Sequence, residues 1–182
     1  MGLSVFASGK PDFQSDGELL TLSDLVSPTD FSDCHSEHFP VLSPLKGECV
    51  APLSETIWGL KASNAAGMAL RPTDGLIFAP FSGIAAVVPR QDHTIGLRHS
   101  SGFELLIHIG LTTYELDNFF RRHVCDGDFV RQGDLLLSYD LSSLLNKGYD
   151  PMTAVLCPTA SRICQPTSGS VKPGEQLFLV DV

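Results

Sequence analysis

The sequence predicts an all-β fold: a compact antiparallel β-sandwich or barrel-sandwich built from duplicated hairpins, with short helical turns. Three features carry this reading. From Phe39 onward, short apolar or alternating runs are punctuated by Gly and Pro; two segments are each echoed later in the chain; and only one stretch carries start and stop signals of a helix.

The runs come in order as Leu76 to Phe81, Ile84 to Val88, His93 to Leu97, Phe103 to Ile109, Leu135 to Tyr139 and Gln176 to Val180. Each has the length of a strand and is too short for an ordinary helix, and Gly or Pro punctuates the connections between them. The echoes sharpen this. Ser43-Pro44-Leu45-Lys46-Gly47 recurs as Ala79-Pro80-Phe81-Ser82-Gly83, and Val130-Arg131-Gln132-Gly133-Asp134-Leu135-Leu136 recurs as Val171-Lys172-Pro173-Gly174-Glu175-Gln176-Leu177. Two copies of each are too few for a solenoid, which needs at least three repeats, so they point to duplicated hairpins in one sandwich or barrel. The helix is expected at Leu141 to Lys147, with Asp140 as N-cap, Lys147 in the last turn and Gly148 just past the end.

Residues 1–38 have a different texture. They are rich in Ser and Asp, carry Lys10-Pro11-Asp12, Ser27-Pro28 and Ser32-Asp33, and read as an acidic, disordered arm ahead of a domain spanning 39–182. Leu19, Leu22, Leu25 and Val26 share one helical face there; a transient helix without a role is the simpler account of it than a docking element.

Composition bounds the function. The 182 residues carry 43% hydrophobic and 18% charged side chains, and no apolar run approaches the roughly 20 residues of a membrane-spanning helix. Met1 to Lys10 lacks a basic region followed by a long apolar one, so a cytoplasmic location is expected. A net charge of −9 opposes a nucleic-acid partner and suits a basic protein partner. Five scattered cysteines without a C-x-x-C pair favour free thiols over a disulfide framework or a zinc site.

The segment from His93 to Gly110 reads as strand, turn, strand. A two-residue loop at Ser100-Ser101 opposes His99 to Gly102, and six steps back along each strand it opposes His93 to His108. A four-residue loop from His99 to Gly102 keeps that register. Either would bring the two side chains onto one face, with Cβ atoms about 4.5 to 5.5 Å apart. A loop centred on Ser101-Gly102 would make the contact diagonal instead.

Two facing imidazoles suit phosphoryl transfer, because one neutral ring can attack phosphorus while the other donates a hydrogen bond to a phosphoryl oxygen. A backbone carbonyl accepting from one ring nitrogen would hold the other for attack, and Gly110 would let the backbone come close. Spacing alone leaves two ordinary strand histidines an equal alternative, and a zinc site falls one or two ligands short. His99 in the turn, His123 beside Arg121 and Arg122, and His35 and His38 in the acidic arm are weaker candidates, better read as solvent-exposed.

Gly67-Met68-Ala69-Leu70-Arg71-Pro72, Ala79-Pro80-Phe81-Ser82-Gly83, His93-Thr94-Ile95-Gly96-Leu97, Glu104-Leu105-Leu106-Ile107-His108-Ile109-Gly110-Leu111, Tyr114-Glu115-Leu116, Val130-Arg131-Gln132-Gly133-Asp134 and Gly148-Tyr149-Asp150 follow one another in order. Over residues 39–182 the chain thereby resembles the glucose-family enzyme IIA of the phosphoenolpyruvate:sugar phosphotransferase system. The resemblance implies a β-sandwich that takes a phosphoryl group from the histidine phosphocarrier protein and passes it to a cysteine of an enzyme IIB domain of a sugar permease. By position His108 matches the phosphoryl acceptor and His93 the accessory histidine, with no metal or organic cofactor required.

The departures from that family lie beside the pair. Thr112 stands where the family usually has Asp, and Gln91 where a Thr commonly precedes the first histidine by two; both are expected to tune the phosphoryl site. Glu55 to Lys61 lacks the family's usual docking stretch. A regulatory binding module, whose phosphorylation state is sensed by partner proteins, is the rival function. The Val-x-x-Gly-Asp/Glu echoes also occur in lipoyl and biotinyl carrier domains, but a lysine in a suitable hairpin-tip setting is missing.

Overall fold

In a computed structural model, the described residues are 38–52, 66–87, 92–110, 113, 116, 119–160 and 162–181. Fourteen strands and one helix follow in chain order: β1 His38–Leu42, β2 Gly47–Pro52, β3 Ala66–Pro72, β4 Leu76–Phe78, β5 Gly83–Val87, β6 Thr94–Arg98, β7 Glu104–Ile109, β8 Phe120–Arg122, β9 Phe129–Val130, β10 Leu135–Tyr139, α1 Leu141–Asn146, β11 Thr153–Cys157, β12 Ile163–Cys164, β13 Gly169–Val171 and β14 Gln176–Asp181. Each of the six runs singled out in the sequence contains a strand, although β4 covers only Leu76–Phe78 of the first and β6 begins one residue after His93. The arm and its Leu19–Val26 face lie outside the described residues, apart from His38 at the start of β1.

The strands form an eight-stranded sheet in the order β13-β2-β3-β11-β7-β6-β5-β9 and two three-stranded sheets, β1-β14-β12 and β4-β10-β8. The pairings within them are antiparallel, the expected all-β class. One apolar cluster joins them, with Val41 and Phe178 from the first small sheet, Ile77 and Leu137 from the second, and Leu70, Ile95, Ile107 and Val155 from the large one.

The echoes become a pseudo-twofold. The Ser43 turn leads into β2, which pairs with β13, and the Ala79 turn leads into β5, which pairs with β9. Ser43 N donates to Glu175 O and Gly174 N to Ser43 O, while Ala79 N donates to Asp134 O and Gly133 N to Ala79 O. The turn carboxylates match as well: Asp134 accepts from Arg131 N at 2.8 Å, and Glu175 accepts from Lys172 N at 2.9 Å. Each turn is thus closed by the hairpin of the other echo.

The helix starts where its cap predicts, with Asp140 Oδ1 accepting from Ser143 N at 3.0 Å and Leu144 buried. Lys147 is the C-cap and not a last-turn residue, and its ammonium sits 4.5 Å from the centre of the Phe119 ring. The expectation of free thiols holds for Cys49, Cys125 and Cys157 but is corrected at Cys164, which is disulfide-bonded. Cysteine spacing could not show this, because a disulfide needs the two Cα atoms within about 7 Å in the folded chain, which spacing does not fix. Among the described residues, no helix is long and apolar enough to cross a membrane.

Candidate functional site

β6 and β7 form a hairpin at the middle of the large sheet. Its turn is a three-residue loop, Ser100 to Gly102, closed by His99 N donating to Phe103 O at 2.8 Å and Gly102 N donating to His99 O at 3.0 Å. Gly102 sits at φ +89, the left-handed residue of a type I turn with a bulge. This odd-numbered loop moves the register by one from the expected pairing. Thr94, not His93, stands opposite His108.

The rings nevertheless meet. His93 lies just outside the regular strand; its carbonyl still accepts from Ile109 N at 2.9 Å, while its ring lies edge-on to His108 with centroids 4.8 Å apart and planes at 83°. Contact comes from the end of the strand, where the side chain is no longer bound to the pleat's alternation.

His108 faces away from the apolar core. Alternation along β7 sends Leu105, Ile107 and Ile109 into the core cluster, and His108 to the other face. On that face its cross-strand neighbours are Thr94 on β6 and Ala154 on β11, with Ala69 beyond on β3. Two alanines leave room beside a ring that a larger side chain would fill. His108 Nδ1 and Thr94 Oγ1 are 2.8 Å apart, a hydrogen bond whose direction the tautomer sets.

Gly110 turns the chain immediately beyond the nucleophile candidate. It has φ +74, and a Cβ there would lie 2.2 Å from Thr113 Cγ2 and 3.1 Å from the Asp150 carbonyl, so both conformation and space require glycine. Gly110 N donates to Met152 O, Met152 N donates to Asp150 Oδ1, and Thr113 Oγ1 donates to Ile109 O. The ends of β7 and β11 are therefore locked around one glycine.

The surroundings of both rings disfavour the charged form. His93 is 4% exposed and His108 8%. Burial pushes His108 down to about 4, with the neighbouring His93 adding to the depression and a hydrogen bond to the Gly110 backbone opposing it. Burial also lowers His93, against the opposing pull of Asp92. Two uncharged imidazoles in contact can act as nucleophile and hydrogen-bond donor without either ring carrying a proton that blocks attack.

Other residues complete the surroundings, and nothing in the sequence assigned them to the site. Phe120 on β8 stands 6.0 Å from the His93 ring and 5.5 Å from Tyr139, and Arg122 pairs with Asp92 at 3.0 Å. The short strand β8 thus braces the turn that carries His93. Thr94 was legible only through the register; Phe120 and Arg122 carried no signal. Gln91, Thr112 and the segment 55–61 lie outside the described residues. His99 is in the turn as expected, His123 bonds Ser138 at 2.8 Å, and none of the three described histidines His38, His99 and His123 opposes the pair on its ladder.

Residues 39–163 match the family model described as phosphoenolpyruvate-dependent sugar phosphotransferase system, EIIA 1. The chain belongs to that family. It is also similar to the β-glucoside-specific EIIBCA component of Dickeya chrysanthemi, with 42% identity over 119 residues that make up 64% of this chain and 19% of that protein. The chain spans about a fifth of that relative's length. Among solved structures, the glucose permease IIA from Mycoplasma capricolum is similar at 27% identity and a TM-score of 0.67, covering 79% of this chain and 96% of that one. The chain has the β-sandwich fold of that permease domain.

Proposed function

We propose that His108 carries the phosphoryl group as a covalent intermediate, taken from the histidine phosphocarrier protein and passed to a cysteine of an enzyme IIB domain. What supports this most is one observation: two buried imidazoles touch edge to face, both pushed toward the neutral form, with Nδ1 of one tied to Thr94. With the ring proton kept on Nδ1, the lone pair of Nε2 attacks phosphorus in line. The donor's P–N bond breaks as the Nε2–P bond forms, and the donor imidazole leaves with its electron pair. His93 then donates to a phosphoryl oxygen. Phosphorylation makes the His108 ring cationic, and the Gly110 backbone, which already favours the protonated ring, stabilises that state.

Onward transfer reverses the step, with a thiolate as nucleophile and Nε2 as leaving atom. Residues 39–182 form the carrier domain and 1–38 an appended arm in this reading, and Gln91 and Thr112 tune the phosphoryl group by position in the sequence alone. The cytoplasm is where such a relay operates. A β-glucoside permease is the first acceptor to try, given the specificity in the Dickeya relative's name.

The test is phosphoryl uptake from phosphoenolpyruvate, enzyme I and the phosphocarrier protein. His108→Gln should take up none, because an amide nitrogen is not nucleophilic. His93→Gln should still be phosphorylated, because it keeps a donor, and should pass the group on slowly. A His108→Gln protein labelled normally on His93 would reverse the two roles; uptake without any transfer to an enzyme IIB would favour a regulatory module.

A further inference from the structure

Away from the histidine pair, the small sheet β1-β14-β12 gathers three side chains of ligand type. His38 on β1 stands directly opposite Asp181 on β14, and Cys164 on β12 opposes Leu179 two residues back. One ligand atom from each lies within 4.8 Å of the others, and His38 Nδ1 is 2.9 Å from Asp181 Oδ1. The sulfur is buried, while the His38 and Asp181 side chains keep 21% and 34% of their surface exposed. An ion could therefore reach the cluster from the solvent side.

We propose that, once the Cys164 disulfide is reduced, His38, Cys164 and Asp181 bind a borderline-soft divalent cation, zinc being the best fit. The donor set decides the class. Imidazole, thiolate and carboxylate are each zinc ligands, whereas hard cations such as magnesium and calcium take oxygen ligands. With Zn–N and Zn–O near 2.0–2.1 Å and Zn–S near 2.3 Å, tetrahedral geometry puts ligand atoms about 3.3 to 3.6 Å apart. The cluster needs side-chain adjustments on the order of 1 Å to reach that, and a water fills the fourth position.

The chemistry balances with a dithiol as reductant. Its two thiols give two electrons and two protons to the Cys164 disulfide and become a disulfide themselves, leaving Cys164 and the sulfur it was bonded to each as a thiol. Metal binding then releases the thiol proton to solvent, and a proton on His38 Nδ1 moves to Nε2 as Nδ1 takes the metal. Arg162, whose Nε lies 3.7 Å from Asp181 Oδ2, is the competing cation and lowers affinity without blocking the Oδ1 side. Function follows from position: in the reduced chain the metal would tie β12 to β1 and β14, the three strands of this small sheet.

The test uses the full chain titrated with Co2+ alone, before and after reduction by a small dithiol that is then removed. The reduced chain should develop a thiolate-to-cobalt charge-transfer band that saturates at one ion per chain and is bleached by Zn2+; the oxidised chain should not. Cys164→Ser should lose the band, which separates it from the exposed thiol of Cys125. His38→Ala and Asp181→Asn, which keep the sulfur, should each weaken Co2+ binding at least tenfold, while His93→Ala and His108→Ala leave it unchanged. A band that persists in Cys164→Ser, an affinity untouched by both His38→Ala and Asp181→Asn, or a loss in His93→Ala would overturn the assignment.

Discussion

His99 at the turn of the β6–β7 hairpin and His108 near its open end belong to the same two-stranded unit, yet their surroundings differ in kind. His99 is half-buried; its Nδ1 lies 3.0 Å from Ser101 Oγ and accepts from Ser101 N at 3.2 Å, and its ring packs on Phe39 at 4.6 Å. Its hydrogen-bonding capacity serves the turn itself. His108 is buried on the face opposite the core, between a threonine and an alanine, with a second imidazole at its edge. A histidine becomes a candidate carrier through burial and a held tautomer, not through being on the hairpin.

The largest effect expected is that of acid on His108. The folded pKa of His108, about 4, lies below the roughly 6.5 of an unfolded chain, so the unfolded state takes up the proton first as pH falls. Stability fully present above pH 6.5 is then lost through the window down to about pH 4, by about 3 kcal/mol for this one group. Urea denaturation at intervals across that window is the measurement. His108→Gln should flatten the slope by most of that amount; a slope equal to that of the unmodified protein would mean that His108 is not the depressed group.

The glycines at the two ends give the next contrast. Gly110→Ala adds a methyl against Thr113 and the Asp150 carbonyl as well as a left-handed backbone penalty, and should cost about 2 to 4 kcal/mol. Gly102→Ala has the same kind of backbone, φ +89, but nothing within 4 Å of the new Cβ, and should cost only about 1 to 2 kcal/mol. Denaturant midpoints would decide, and similar losses would show that the chain at Gly110 relaxes freely.

The smallest effect expected is at Thr94. Thr94→Val keeps the shape and removes a hydrogen bond to Nδ1 worth about 1 kcal/mol, which corresponds to a roughly fivefold slower phosphoryl uptake. A rate equal to that of the unmodified protein would mean that other contacts alone hold the tautomer.

Much of this was legible in the chain itself. Strands with alternating or β-branched residues, such as Phe103 to Ile109, stood out, and so did Asp140 as a cap. β3 did not, because Ala66-Gly67-Met68-Ala69 lacks β-branched side chains, and β11 did not, because all five of its residues are buried and no alternation survives. The histidine contact was anticipated with the register one residue off, since nothing in Ser100-Ser101-Gly102 distinguishes a two-residue loop from a three-residue one until Gly102 takes positive φ. Phe120 and Arg122 reach the site across sheets, and the disulfide at Cys164 also depends on tertiary proximity that local pattern does not encode.

The central claim is that His108 Nε2 is the atom that bonds phosphorus. It is tested most directly by phosphorylating the 15N-histidine-labelled chain through the phosphocarrier relay and reading nitrogen–phosphorus coupling by NMR. The account predicts a single phosphoryl group, with its one-bond coupling on Nε2 of His108 and with the His93 resonances shifted but uncoupled. Coupling to Nδ1 of His108, or to either nitrogen of His93, would contradict it.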